Sequence, residues 1–287
     1  MHNCPVFRRY WRYLGLAALL LMPILAEATT TLPLIDQAYV VGGSPSQRLD
    51  LFVPAQITHT PPPLLVWIHG GGWREGDKRS HPLKPFFAQG YAVASINYRL
   101  SGEAPFPAQI DDVRTAIQWL RSHASTYGFD PKRIGIIGHS AGGHLSALFA
   151  VTTNGENAVQ AVCSLSGPSD MERLFEQAQD TKRQEALVAL FAGSLKDKRT
   201  QVRAASPLQY ITRNVPPLLL VHGDRDNMVP VEQAQLFADA LKAKAEHPPQ
   251  LVILEETTHD IFRNPRWLIE AQGFFALHLH PSAADPR

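Results

Sequence analysis

Cysteine is nearly absent from this chain: among 287 residues there are two, Cys4 and Cys163. Such a pair supplies no disulfide framework, no paired-cysteine metal motif and no thioredoxin-like dithiol. Net charge is lacking as well, since 27 Lys plus Arg face 26 Asp plus Glu and leave +1. With no block of basic residues, the electrostatic footprint of a nucleic-acid binder is missing, and nucleic acid is not an expected partner. Charged residues make up only 18% of the chain and hydrophobic ones 45%, which excludes a disordered chain and leaves ample apolar material for a core. Neither a Walker loop nor a Gly-x-Gly-x-x-Gly fingerprint occurs, so a nucleotide cofactor is not expected. No His-Glu-x-x-His helix or calcium loop occurs either, so no metal is expected. The chemistry of this chain rests on ordinary side chains without a cofactor.

What is present begins at the N-terminus. Arg8, Arg9 and Arg12 precede an apolar run from Leu14 to Leu25, which is followed by Ala26-Glu27-Ala28. This is the pattern of a secretory signal, with cleavage expected after Ala28. The run holds about a dozen residues with Pro23 inside it, whereas a membrane span needs roughly 20, so no stable membrane anchor is expected. Removal of residues 1–28 leaves a near-neutral chain, residues 29–287, with a single thiol. A secreted or periplasmic location follows.

Past the signal, Leu34 to Val41 and Arg48 to Val53 read as an opening hairpin around Gly42-Gly43-Ser44-Pro45. Short apolar runs then alternate with amphipathic stretches, as in buried parallel strands joined by helices. Strands are expected at Leu64–His69, Tyr91–Asn97, Arg133–Gly138, Ala158–Leu165, Pro217–His222 and Gln250–Glu255. Helices are expected from Pro107 to before Tyr127-Gly128, from Ser140, from Val231 to Lys244 and from Pro265 to Leu277. One α/β domain with a mostly parallel central sheet and helices on both faces results. Residues 168–213 break the rhythm as a charge-rich helical insertion, either a solvated excursion or a lid that shapes a substrate pocket.

The chemistry concentrates at strand ends. Gly138-His139-Ser140-Ala141-Gly142-Gly143 links a strand to a helix, the context of a nucleophile elbow, with small neighbours because the serine sits in a strained turn. His69-Gly70-Gly71-Gly72-Trp73 ends the first strong strand, and its bare backbone suits an oxyanion. The N–H groups of Gly71, Gly72 and Ala141 are the assigned donors, and Trp73 is a candidate substrate contact. A serine needs a base and the base needs an orienting carboxylate. His259, in Thr257-Thr258-His259-Asp260, follows the last strand, and Asp224 and Asp226 both follow the strand before it. The order Ser140, acid, His259 is that of an α/β-hydrolase triad. His139 is adjacent to the serine and cannot readily turn back to it. His69 and His222 read as hydrogen-bonded scaffolding, Cys163 as a buried structural thiol, and Trp119 and Trp267 as packing.

These segments, together with Asn97–Leu120, Tyr127–Leu148, Ser206–Tyr210 and His222–Pro230, resemble the bacterial esterase/lipase branch of α/β-hydrolases over essentially the whole chain from about residue 35. The feruloyl and acetyl-xylan esterase group is the nearest flavour. In the related hormone-sensitive-lipase group the elbow usually carries Asp where this chain has His139. The resemblance implies an α/β-hydrolase fold and favours Asp226 over Asp224 as the acid. It also implies a serine esterase that works through an acyl-enzyme on a small-molecule or polysaccharide-linked ester, short-acyl or feruloyl. Kynurenine formamidases and serine peptidases carry similar motifs, so an amidase or peptidase is the alternative. The export signal counts against the formamidase, and the chain has no room for the propeller domain of the peptidases.

Overall fold

The computed structural model describes residues 33–55, 60–178 and 181–279. The export signal expected in residues 1–28 lies outside them. Eight strands form one sheet: β1 (Leu34–Ala38), β2 (Arg48–Phe52), β3 (Leu64–Ile68), β4 (Ala92–Ile96), β5 (Ile134–His139), β6 (Ala161–Leu165), β7 (Leu218–Gly223) and β8 (Gln250–Leu254). Their spatial order is β1-β2-β4-β3-β5-β6-β7-β8. β1 and β2 make the expected antiparallel hairpin, β2 runs antiparallel to β4, and every pairing from β4 to β8 is parallel. β1 ends earlier than expected because the chain turns at Val40, whose carbonyl accepts the N–H of Gly43. β6 starts later than expected, since Gly155–Asn157 is a 3-10 turn.

All five residues of β3, Leu-Leu-Val-Trp-Ile, are buried, the property of a parallel strand covered on both faces. Alternation sends Leu64, Val66 and Ile68 to one face and Leu65 and Trp67 to the other. The first face is covered by α2 (Ala108–Ser122), α4 (Ala141–Thr152) and α8 (Glu232–Lys244), and the second by α1 (Lys84–Ala88) and α9 (Arg266–Leu279). In α2 the spacing of Ile110, Val113, Ile117 and Leu120 places four buried residues on one stripe. The expected helix at 107–127 breaks at His123 into α2 and a single turn, α3 (Ala124–Tyr127), closed by Gly128 at φ 80°. α1 has no counterpart among the expected helices.

The insertion at 168–213 holds α5 (Met171–Gln177), α6 (Thr181–Phe191) and α7 (Leu195–Ala204). It is not a loose excursion. Leu187, Leu190, Phe191, Val202 and Ala205 join the main core, and the Phe191 ring meets Phe106 at 5.9 Å. Among the described residues no helix is long and apolar enough to cross a membrane.

Candidate active site

Ser140 sits between β5 and α4 with φ 54° and ψ −116°, a left-handed backbone that a non-glycine residue adopts at a cost of order 1–3 kcal/mol. Two bonds hold it there: its N–H donates to the Leu165 carbonyl at 2.8 Å, and its carbonyl accepts the His144 N–H at 2.9 Å to start α4. The elbow closes only because Gly142 lacks a side chain. A Cβ there would collide with the Ile68 carbonyl oxygen at the end of β3. The glycine therefore brings the nucleophile turn against the Gly70–Gly72 loop, which leaves the same strand.

The loops after β7 and β8 deliver the partners. His259 Nε2 lies 2.9 Å from Ser140 Oγ, and His259 Nδ1 lies 2.7 Å from Asp226 Oδ2. The Asp226 carboxylate is completely buried, while the imidazole keeps 21% of its surface exposed toward the cavity. Burial by itself would raise the Asp226 carboxyl, but hydrogen bonds from His222 and His259 and the Val229 N–H hold it well below the usual carboxylate range. An ionised carboxylate only accepts, so Nδ1 of His259 carries the proton and Nε2 presents its lone pair to the serine hydroxyl. The other oxygen, Oδ1, accepts the Met228 and Val229 N–H groups at 2.9 and 2.8 Å. Asp224 is exposed, and its Oδ1 accepts the Thr257 N–H at 3.2 Å, which steadies the loop of the histidine without touching its ring. The geometry separates the two candidate acids in favour of Asp226.

Three further histidines surround this group. His222 is buried, and its Nε2 lies 2.8 Å from the Val229 carbonyl and 3.3 Å from Asp226 Oδ2, so it braces the acid loop. His139, beside the serine in sequence, reaches His259 instead: its Nε2–H donates to the His259 carbonyl at 3.0 Å, and the two rings lie 4.9 Å apart. Sequence reasoning did not anticipate this contact, because the two residues are far apart in the chain. His144 joins Trp73 to the insertion. The Trp73 indole N–H donates to His144 Nδ1 at 3.2 Å, and His144 Nε2–H donates to the Ala205 carbonyl at 2.7 Å. One neutral tautomer satisfies both bonds. Trp73 lines the cavity, but its ring is only 5% exposed and turned edge-on to His144, so it supports the wall and is no free stacking platform. His69 stacks on Tyr98 at 4.4 Å, as scaffolding, and Cys163 is buried with its thiol pushed up by burial.

Burial lowers His144 to about 4, and His69 and His139 shift the same way with burial as the leading cause. Between about pH 6.5 and 4 the unfolded chain binds a proton that folded His144 refuses, so stability falls as pH falls, by about 1.4 kcal/mol per pH unit for this group. The carboxyl of Asp226, held low, adds its own loss only below the ordinary carboxylate range. Urea unfolding at pH 7, 6 and 5 is expected to show a steep decline that His144→Gln makes shallower by one proton. An unaltered slope in that variant would refute the assignment.

The N–H groups of Gly71 and Gly72, at φ 103° and 57°, and of Ala141 at the start of α4 have no hydrogen-bond acceptor among the described residues. The first two lie in the loop after β3 and the third at the N-terminus of α4, where the helix dipole favours negative charge. Gly71, Gly72, Ser140 and His259 open on a cavity of about 640 Å³. One wall is apolar, formed by Leu174, Ala186, Leu187, Met228 and Val229. Residues 182–187 of the insertion therefore shape the cavity, and Arg183 ties α6 to the acid loop through the Asn227 carbonyl at 2.8 Å. A larger recess of about 800 Å³ lies between α2, α4 and the Pro207–Tyr210 turn, but none of the residues just described lines it.

The sheet order, the elbow and the Ser140, His259 and Asp226 arrangement define an α/β-hydrolase. Residues 49–241 match the BD-FAE family, and the chain belongs to it. Esterase LipC of Mycobacterium tuberculosis is 35% identical over 217 residues, 70% of this chain and 54% of that protein. Esterase LipQ of the same organism is 34% identical over 196 residues, 63% and 46%. The chain spans about half the length of these curated relatives. Among solved structures, a bifunctional GH43-CE protein of Bacteroides eggerthii superposes with a TM-score of 0.77 at 31% identity, over 85% of this chain and 38% of that one. A truncated carbohydrate esterase from gut microbiota gives 0.75 at 27% identity, over 88% and 98%.

Proposed function

We propose that this protein is a secreted serine esterase that hydrolyses carboxylic esters through an acyl-enzyme, with short-acyl or feruloyl esters of carbohydrate as its substrates. The observation that carries the reading is the unbroken hydrogen-bonded run from Asp226 through His259 to Ser140. In the reaction, Ser140 Oγ attacks the ester carbonyl carbon as its proton passes to His259 Nε2, and Asp226 stabilises the imidazolium. The carbonyl oxygen gains the displaced electron pair and is held by the N–H groups of Gly71, Gly72 and Ala141. Each such donor is worth about 2.7–4 kcal/mol in the transition state. Collapse expels the alcohol, which leaves with the proton from His259. A water molecule then attacks the acyl-serine with the same base, releasing the acid and restoring the hydroxyl.

Two further supports bear on substrate and location. The relatives and structures named above carry esterase or carbohydrate-esterase names, and the signal pattern ending at Ala28 points to an exported enzyme. A panel of p-nitrophenyl esters from acetyl upward, methyl ferulate and acetylated xylan, run beside matched anilides, tests the reading. Short acyl esters are expected to turn over fastest. Anilides hydrolysed faster than esters would make it an amidase, and no ester turnover would end the proposal. Sequencing the N-terminus of exported protein checks cleavage after Ala28.

A further inference from the structure

The three assigned oxyanion donors come from two separate pieces of chain, the loop after β3 and the first turn of α4. To meet one oxygen they must keep their relative positions to a fraction of an ångström. The loop, however, is built from residues with little restraint of their own. Gly71 and Gly72 are left-handed, and a Cβ added at Gly72 would meet only Ala186 Cβ, at 3.6 Å, beyond its chain neighbours. The Gly71 carbonyl accepts the Arg74 and Glu75 N–H groups at 3.0 and 3.1 Å, which closes the turn on itself without tying it to α4. Gly142 and His139 pack against residues 68–70, the root of the loop and not its tip. The Arg74–Glu185 ion pair, 3.5 Å long, is exposed on both partners and holds little.

Trp73, at the tip, makes the connection to the helix. Its backbone is left-handed as well, at φ 58°, and its carbonyl accepts the Ser101 N–H at 2.7 Å. Its buried indole stands edge-on to His144, 5.3 Å between ring centres, and donates Nε1–H to His144 Nδ1 at 3.2 Å. His144 lies about one helical turn along α4 from Ser140, and its own backbone N–H donates to the Ser140 carbonyl at 2.9 Å. The indole–imidazole bond therefore runs from the residue after Gly72 to the helix that carries Ala141, and both of its ends are buried.

This bond needs one tautomer. Nδ1 must offer a lone pair to the indole, so the proton belongs on Nε2, where the Ala205 carbonyl accepts it at 2.7 Å. A second proton would set Nδ1–H against the indole N–H, and burial, which lowers the ring to about 4, keeps that proton off at neutral pH. Ala205 follows α7, at the base of the insertion that walls the cavity. The imidazole is thus locked from one side by the insertion and holds the oxyanion loop on the other. It is fully buried and is not among the residues that line the cavity, so its effect on substrate can only be exerted through Trp73 and the helix.

Resting on the serine-esterase reading, we infer that His144 is a positioning residue for the oxyanion hole: by holding the Trp73 indole it sets where Gly71 and Gly72 stand relative to Ala141. His144→Phe keeps a ring in the same space and removes both of its bonds, whereas Trp73→Phe leaves His144 in place and removes the indole donor. Each is expected to lower kcat on p-nitrophenyl acetate about 10- to 100-fold with KM within about twofold, because the lost alignment matters in the transition state. A trifluoromethyl ketone, which forms an adduct with Ser140 that places an oxyanion in the hole, is expected to lose affinity by the same factor. The double variant is expected to be no slower than the slower single one, since one residue acts through the other. Unchanged kcat and inhibitor affinity in Trp73→Phe overturn the inference, even where His144→Phe fails to fold. So does a rise confined to KM, which would make Trp73 a substrate contact, and so do losses that multiply in the double variant, which would give His144 a role apart from Trp73. Absence of ester hydrolysis by the wild type is a different result and overturns the esterase reading itself.

Discussion

Replacing Ser140 by Ala is expected to lower kcat on p-nitrophenyl acetate on the order of a million-fold while leaving the fold intact. The only side-chain partner recorded for the hydroxyl among the described residues is His259, so its removal strands no buried donor and unfolding by heat should be nearly unchanged. The loss is large because the nucleophile and its base act as one unit. Adding His259→Ala to Ser140→Ala should therefore cost little more, in contrast to the multiplication expected of independent contributors. Residual catalysis of about 10³ to 10⁴ over water is expected from the Gly71, Gly72 and Ala141 donors alone. A variant that keeps more than a small fraction of wild-type turnover would place the nucleophile elsewhere, whatever the geometry at the elbow.

Much of this arrangement was legible in the sequence because it is local. β3 and β5 are continuous apolar runs, and the glycines around Ser140 and after His69 mark turns that only small residues permit. The rest depends on long-range contacts. α1 is five residues long with a single buried side chain, Phe86, which is too short for a periodic signal. The His139 ring does not turn back to its neighbouring serine; β5 aims it at the loop after β8, and no spacing rule reports a bond between residues 139 and 259. The pairing of Trp73 with His144 is a contact of the same long-range kind, and it holds this candidate substrate contact in the cavity wall. The insertion at 168–213 looked as much like solvated surface as like a lid, since its charges dominate the composition. Its few apolar residues, Leu187, Leu190 and Phe191, dock into the core, a long-range contact that composition does not report.

The choice between Asp224 and Asp226 carries the second large effect. Asp226→Asn is expected to lower kcat by about 10⁴-fold, the typical result of leaving the base in the wrong tautomer. The cause can be followed atom by atom. The Met228 and Val229 N–H groups donate to Oδ1, so the carboxamide oxygen takes that place and the NH₂ group faces His259. An NH₂ donor 2.7 Å from Nδ1 requires a lone pair on that nitrogen, which moves the imidazole proton to Nε2. Nε2–H then faces the serine hydroxyl and has no lone pair with which to receive its proton. Asp224→Asn lacks this consequence, because among the described residues its exposed carboxylate meets only the Thr257 N–H, an acceptor role that the carboxamide oxygen keeps. Its kcat is expected to stay within severalfold of wild type. Measuring both variants on one ester at saturating concentration decides the matter: a large loss in the variant at 224 with little loss at 226 would transfer the orienting role to the exposed carboxylate.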